Sequence, residues 1–219
     1  MFLRKIIKKI LRRLNNDGLL CTAMLCIRKL INIFYRIIIW RNLNVDIDYT
    51  TTVEGIKNIE IKGRIKTGKY LWLSTYEQYG NQCFSPKIIF KGNFFASDFC
   101  HISATNYIEI GDNVLLGSKV YITDNGHGIY SGDATHSLPT EHPIMRCLDS
   151  NKEVVIGDNV WIGDNVAVLP NVHIGKGCII GANSVVTKDI PDNCIAVGIP
   201  AKVIKKFDYI KKKWIRVFD

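Results

Sequence analysis

Patterns for metal binding are missing from this chain. Its seven cysteines are scattered and odd in number, with none at the short spacing of a zinc site. That arrangement also argues against a disulfide framework and fits a reducing compartment. Cys21, Cys26 and Cys178 read as small apolar fillers. There are only five histidines. Acid is almost absent from one end: residues 1–41 carry ten Lys/Arg and one carboxylate, Asp17. That leaves 19 of the 29 basic and 19 of the 20 acidic residues for the rest, so the formal net charge of +9 is an N-terminal property. A smaller basic echo is "KKFDYIKKKWIR". No nucleic-acid recognition motif accompanies the charge, and nucleic acid is not an expected partner. No small-residue cleavage site follows "LLCTAMLCI", so the start is not read as a signal peptide. A simple membrane span is not expected either, because Arg28, Lys29 and Arg36 interrupt "LLCTAMLCIRKLINIFYRIIIW".

What the chain does have is a repeat. Ile156, Ile162, Val168, Ile174, Ile180 and Val186 follow at six-residue spacing. Gly157, Gly163, Gly175 and Gly181 come one place after four of them. A fixed six-residue period marks a β-solenoid, since an α-helix buries a face at 3.6. β-Branched residues suit short strands, and the Gly-Asp, Gly-Lys and Asp-Asn pairs suit tight turns at positive φ. The period extends back, less regularly, through Ile122, Leu116 and Ile110, and after a shift through Ile102, Ala96 and Phe90. Between Ile122 and Ile156 it vanishes. A gap of that length is expected to be functional or disordered, and its three histidines favour function.

The expected organisation is a basic helical arm over 1–45 and a β-helix domain over 46–204 with an extended loop at about 124–153. A basic tail over 205–219 is read as a short C-terminal helix. In the arm, Leu3, Ile6, Ile7, Ile10, Leu11 and Leu14 share one helical face, opposite Arg4, Lys5, Lys8, Lys9, Arg12 and Arg13. "NNDG" breaks the helix at 15–18. Two readings stand for the arm: contact with an anionic membrane through residues 1–40, or packing on the coils or on a neighbouring subunit.

Joined to "WIG", "GANSVVTKDIP" and "GIPAKVI", the hexads resemble the hexapeptide-repeat acetyltransferases, over roughly residues 88–206. Within that superfamily the likeness is to sugar and polysaccharide acetyltransferases. The resemblance implies a mainly β fold, a left-handed parallel β-helix, and a homotrimer with its site between subunits. It implies acetyl-CoA as co-substrate and no metal. The expected activity is O-acetylation of a sugar hydroxyl in surface polysaccharide such as O-antigen or capsule. The alternative is N-acetylation of an amino-sugar nucleotide. The acceptor is thus a sugar, a lipid-linked glycan or a nucleotide sugar, and the expected location is the cytoplasm or the inner face of the membrane.

A sugar hydroxyl needs a base before it can attack a thioester, and imidazole is suited to neutral pH. His127, in "ITDNGHG" where the loop leaves the coil, occupies the place of the family's catalytic His. Asp124 or Asn125 is expected to orient its ring or bind the acceptor, with His136 and His142 on the acceptor side. His101 and His173 are read as ordinary scaffold residues. By resemblance, Gly163, Ala182, Thr187 and Lys188 fall on cofactor-contacting positions. Lys202 and Lys205 stand where relatives often carry Arg, and so lack its bidentate fork. Trp161 falls on a position that walls the acetyl site, or is buried at a subunit contact. A third reading, a hydrolyase resembling the γ-type carbonic anhydrases, needs three converging histidines, and the close His pair expected after the first ligand is missing. A fourth, a non-catalytic scaffold, leaves the cofactor-side segment from Gly181 to Lys205 without a purpose.

Overall fold

The structure, a computed structural model, describes residues 2–41, 44–130 and 136–217. Residues 131–135 of the expected loop lie outside the described residues. The six-residue rule becomes a triangular prism. Each turn of the chain lays one short strand on each of three faces. The first face has nine strands, the second six and the third five. The first turn runs through Val45–Asp46, Thr52–Glu54 and Ile59–Ile61, and the sixth closes on an isolated bridge from Ile190 to Ile174. Successive turns pair in parallel and in register, with Ile110 beside Ile156, Leu116 beside Ile162 and Ile122 beside Val168.

The strict aliphatic positions from Ile156 to Val186 are all buried, and so is the residue two places before each. One long apolar column therefore fills the prism, and each such side chain contributes about 1.5–3 kcal/mol by leaving water. The corners have their own logic. Asn113, Asn159, Asn165, Asn171, Asn183 and Asn193 adopt φ between 56 and 62°, a conformation that asparagine tolerates better than most residues. The Asp before four of these Asn residues accepts a backbone N–H from the turn above. Asp112 takes Asn93 N at 2.6 Å, Asp158 takes Asp112 N at 2.7 Å, and Asp164 takes Ser118 N at 2.6 Å. Gly is required beside this contact: a Cβ on Gly111 would lie 2.5 Å from Asp158 Oδ1.

The coils reach further back than the periodicity predicts. Val45, Ile65, Leu71, Leu73 and Ile88 all belong to the core. Two things conceal this part of the repeat. Thr67 takes an aliphatic position opposite Ala96, and an excursion over 76–86, carrying the hairpin Gln78–Tyr79/Gln82–Cys83, interrupts the second turn.

The expected C-terminal helix is not formed. Ala201–Asp208 and Lys213–Arg216 are strands of an antiparallel hairpin added to the first face. The basic composition hid a period of two: Val203, Lys205 and Phe207 are half-buried, while Lys202, Ile204 and Lys206 are exposed. Phe207 then packs edge-on against Tyr209 and Trp214.

At the other end, α1 (Phe2–Tyr35) is broken at Gly18, φ 78° and ψ 169°, as "NNDG" predicts. Its second half docks on the first turn. Arg28 places Nε and Nη2 on Asp48 Oδ2 at 3.1 and 2.7 Å, Asn32 Nδ2 adds a bond at 3.0 Å, and Tyr35 and Trp40 pack on the core. Most of the remaining apolar surface is open, including Leu19, Leu20, Met24 and Phe34. Cys178 is buried as a filler, but Cys21 is exposed, because the face that carries it has no partner among the described residues.

Candidate functional site

Two protrusions leave the prism at the same edge, between the second and third faces. One is the 76–86 excursion, which leaves after Trp72–Thr75. The other runs over 124–152, two turns later, after Tyr121–Thr123. They clasp each other. Gln82 donates from Nε2 to Leu148 O at 3.0 Å and accepts Leu148 N at Oε1, 2.6 Å, so its side-chain amide acts as a strand partner. The second protrusion begins and ends as a two-residue ladder, Gly126–His127 against Leu148–Asp149. Arg146 ties its interior, donating to Tyr130 Oη at 2.9 Å and to Glu141 O at 3.0 Å.

His127 is exposed at this junction. Tyr79 Oη lies 3.3 Å from His127 Nδ1 and donates to Ile144 O at 2.5 Å. A phenol has one proton. Once that proton is given to Ile144, the phenolic oxygen accepts from Nδ1–H, and the lone pair of the imidazole is left on Nε2. Tyr130 Oη fixes the backbone by donating to His127 O at 2.7 Å. The ring faces a cleft of about 480 Å³ lined by Tyr76, Tyr79, His101, Tyr121, Asn125 and Leu148 among others.

Of the expected acceptor-side residues, Asn125 lines this cleft. Asp124 does not. It is fully buried and accepts from Thr105 N, Thr105 Oγ1, Asn106 N and Asn125 Nδ2. Its carboxylate is used up in anchoring the loop root, which corrects the reading of it as an acceptor ligand. His136 and His142 are exposed on the protrusion, outside the cleft lining, and His142 precedes the short 3-10 turn Pro143–Met145. Among the described residues no group of three His, Cys, Asp or Glu is placed to hold a metal ion. His173 pairs with Glu153 at 3.0 Å on the third face, away from the site.

The cofactor-side residues separate into two rows. Gly163 and Ala182 stack at the edge between the first and second faces, where a Cβ on Gly163 would meet Ala182 N at 2.7 Å. Lys202, opposite Val197, is close to that edge, and Lys205 lies opposite Ile195 on the first face. Thr187 and Lys188 follow Val185–Val186 at the edge from which the His127 loop emerges, two turns further along. Trp161 is exposed on the first face, in a column with Phe95, Leu115 and Ile179. One chain therefore does not bring Trp161 to His127.

Sequence reasoning passed over Tyr79 and His101. Tyr79 had a signal, since "YEQYGNQCFSPK" loses the hexad just as the longer gap does. His101 had none, because outward positions on a coil carry no periodic constraint.

The comparisons with known proteins agree with this architecture. Residues 153–188 match the bacterial transferase hexapeptide family (six repeats), and 107–133 match the hexapeptide repeat of succinyl-transferase. The prism is thus a left-handed parallel β-helix of the hexapeptide-repeat class. Residues 107–133 and 153–188 thus carry hexapeptide repeats, and the proteins the chain is similar to include ones named as sugar O-acetyltransferases. It is 45% identical over 127 residues to WbbJ of Escherichia coli (strain K12), provisionally named a lipopolysaccharide biosynthesis O-acetyl transferase, covering 58% of this chain and 64% of that one. It is 34% identical over 143 residues to galactoside O-acetyltransferase of the same organism, covering 64% and 63%. The chain therefore spans just under two thirds of the length of these relatives. In fold it is similar to AntD, an N-acyltransferase from Bacillus cereus solved with dTDP and 3-hydroxybutyryl-CoA. The TM-score is 0.60 at 23% identity, over 75% of this chain and 80% of that one.

Proposed function

We propose that this protein is an acetyl-CoA-dependent O-acetyltransferase acting on a sugar hydroxyl during the building of surface polysaccharide. The observation that carries the reading is His127, held by Tyr79 at the mouth of a cleft on a hexapeptide prism, with Nε2 left as the basic nitrogen. Nε2 takes the acceptor proton as the sugar oxygen attacks, and the imidazolium then returns that proton to the departing sulfur. Acetyl-CoA, when bound, supplies the thioester whose acetyl group is transferred.

The residues of the last turns fit such a co-substrate. Ala182 and Thr187 offer small exposed surface, and Lys188 and Lys202 place cations on the same turns, suited to phosphates. With one row at each edge of the second face, a homotrimer that sets one subunit's edge against its neighbour's would assemble both rows around a single cleft. The same assembly would bring Trp161 of one subunit toward His127 of another. The arm, basic and apolar, adds contact with the cytoplasmic face of an anionic membrane, where lipid-linked acceptors are built. The stretch Ile7–Trp40 is long and apolar enough to cross a membrane by length and composition, and almost none of it is buried.

The test is His127→Ala, with acetyl transfer and CoA binding measured separately. Transfer should drop by about 100-fold or more while CoA affinity stays within about twofold. Undiminished turnover would remove His127 from the chemistry and this reading with it.

A further inference from the structure

The second face carries an outward column that differs from the others. Trp72, His101 and Tyr121 stand side by side on three successive turns, between Thr52 on one side and Ala167 on the other. The His101 ring stacks on Trp72 at 4.5 Å and 8°, and Tyr121 meets it edge-on at 5.2 Å. Trp72 is 42% exposed and Tyr121 37%. At the adjoining edge Tyr70 and Phe99 stack at 4.9 Å, and both are about half exposed.

Nothing in the folding of a coil asks for this arrangement. Tyr70 and Phe99 adopt φ of 56 and 61°, at a corner where later turns use Lys119, Asn165 and Asn183. A bulky ring in that region costs about 1 kcal/mol or more, and strain of this kind persists where something else uses it. Exposed rings leave apolar area in water. His101 Nε2 is buried without a hydrogen-bond partner, an arrangement that costs about 1–3 kcal/mol. These unfavourable features coincide in one place, and that place is continuous with the site: His101 and Tyr121 line the same cleft as His127.

A sugar complements such a surface. Its C–H face covers exposed aromatic surface, and its hydroxyls seek polar groups at the rim of that surface, such as the phenol of Tyr121. Three turns are separated by two intervals of about 4.8 Å, which gives a stripe roughly 10 Å long, the span of about two hexose rings. The column itself holds no cation to meet a diphosphate. The stripe extends from His127 toward the first turn, whereas Lys188 lies toward the last, so donor and acceptor approach from opposite ends.

We propose that Trp72, His101 and Tyr121, flanked by Tyr70 and Phe99, form a glycan-docking subsite for the sugars adjoining the one acetylated. The acceptor is then an oligosaccharide or polymer rather than a free nucleotide sugar. This rests on the O-acetyltransferase reading above, and it makes acceptor length the quantity to measure.

The experiment uses the full chain and a series of mono- to tetrasaccharides released from the host's surface glycan, with a nucleotide sugar alongside. Turnover gives kcat/KM, saturation-transfer NMR gives binding, and light scattering gives the oligomeric state. Expected is a rise in kcat/KM of about tenfold or more from mono- to trisaccharide, collapsing to less than about twofold in Trp72→Ala, with oligomeric state unchanged. His101→Gln should reduce the same ratio partially. Length-independent turnover, or preferred use of the nucleotide sugar, overturns the subsite and leaves the acetyltransferase intact. A Trp72→Ala protein of altered oligomeric state also overturns it, since the stripe would then be a subunit contact. Length-dependent binding lost in Trp72→Ala, without acetyl transfer to any member of the series, keeps the subsite and sinks the enzyme reading.

Discussion

A single phenol decides which nitrogen of His127 is basic. Tyr79 comes from a different protrusion and meets His127 through its hydroxyl, so its role is one of positioning. Tyr79→Phe frees the imidazole to take either tautomer. We expect kcat to fall about tenfold, with little change in KM for acetyl-CoA and an altered pH profile of kcat; a purely structural role would leave that profile where it was. Asp124 is the opposite case, a carboxylate with no chemistry to do. Asp124→Ala strands buried donors of Thr105 and Asn106, and urea unfolding should show a loss of about 3 kcal/mol or more. His101 yields a third expectation. Burial pushes its imidazole below the ordinary value, while the charge of Glu54 pulls the other way. The unfolded chain therefore takes up that proton first as pH falls. Stability is thus independent of this group's titration above about pH 6.5 and falls below it, down to the depressed folded value. His101→Gln should flatten the dependence of Tm on pH between about 7 and 5.

Elements were legible in the sequence to the extent that their constraint was periodic. The column from Ile156 to Val186 reads off directly, because every turn must place an aliphatic at the same depth. Fidelity declines toward the first turns, where Thr67 and the 76–86 excursion break the count, and at the end, where lysines disguise a strand alternation as a helical tail. The candidate site was legible only in its base: His127 stands where a long gap begins, but Tyr79, Gln82 and His101 meet it through folding across 26 to 48 residues of sequence. The docking of α1 was equally hidden, because an Arg in an apolar run gives no hint of its partner. Burial raises the Asp48 carboxyl, but hydrogen bonds from Arg28, Asn32 and Thr50 outweigh it and hold the group below the usual carboxylate range. The docking contribution is thus complete at neutral pH and is lost only as pH falls from about 4 through the lowered value. Arg28→Ala leaves Asp48 largely buried without its cation. It should free the second half of the arm at a cost of about 1–3 kcal/mol, seen as faster hydrogen exchange over residues 19–40.

At the scale of the whole molecule, a neutral prism carries a basic, apolar arm at its first turn. Deleting residues 1–14 should weaken binding to anionic liposomes at low salt, and raising the salt should reduce that binding in the intact chain. Equal binding with and without the segment would assign the arm to packing. The two ends of the prism also govern what it does in a crowded cell. Stacked parallel strands are an open template: an exposed terminal turn invites the matching turn of a second molecule, and a third after that. Here the arm lies over the entrance, and the closing hairpin reverses chain direction after Cys194–Gly198. A newcomer running the same way as the turns finds an opposed strand and no register to continue. Lengthwise addition is thereby opposed on the first face, while the second and third faces end on Val185–Val186 and on the Ile190 bridge.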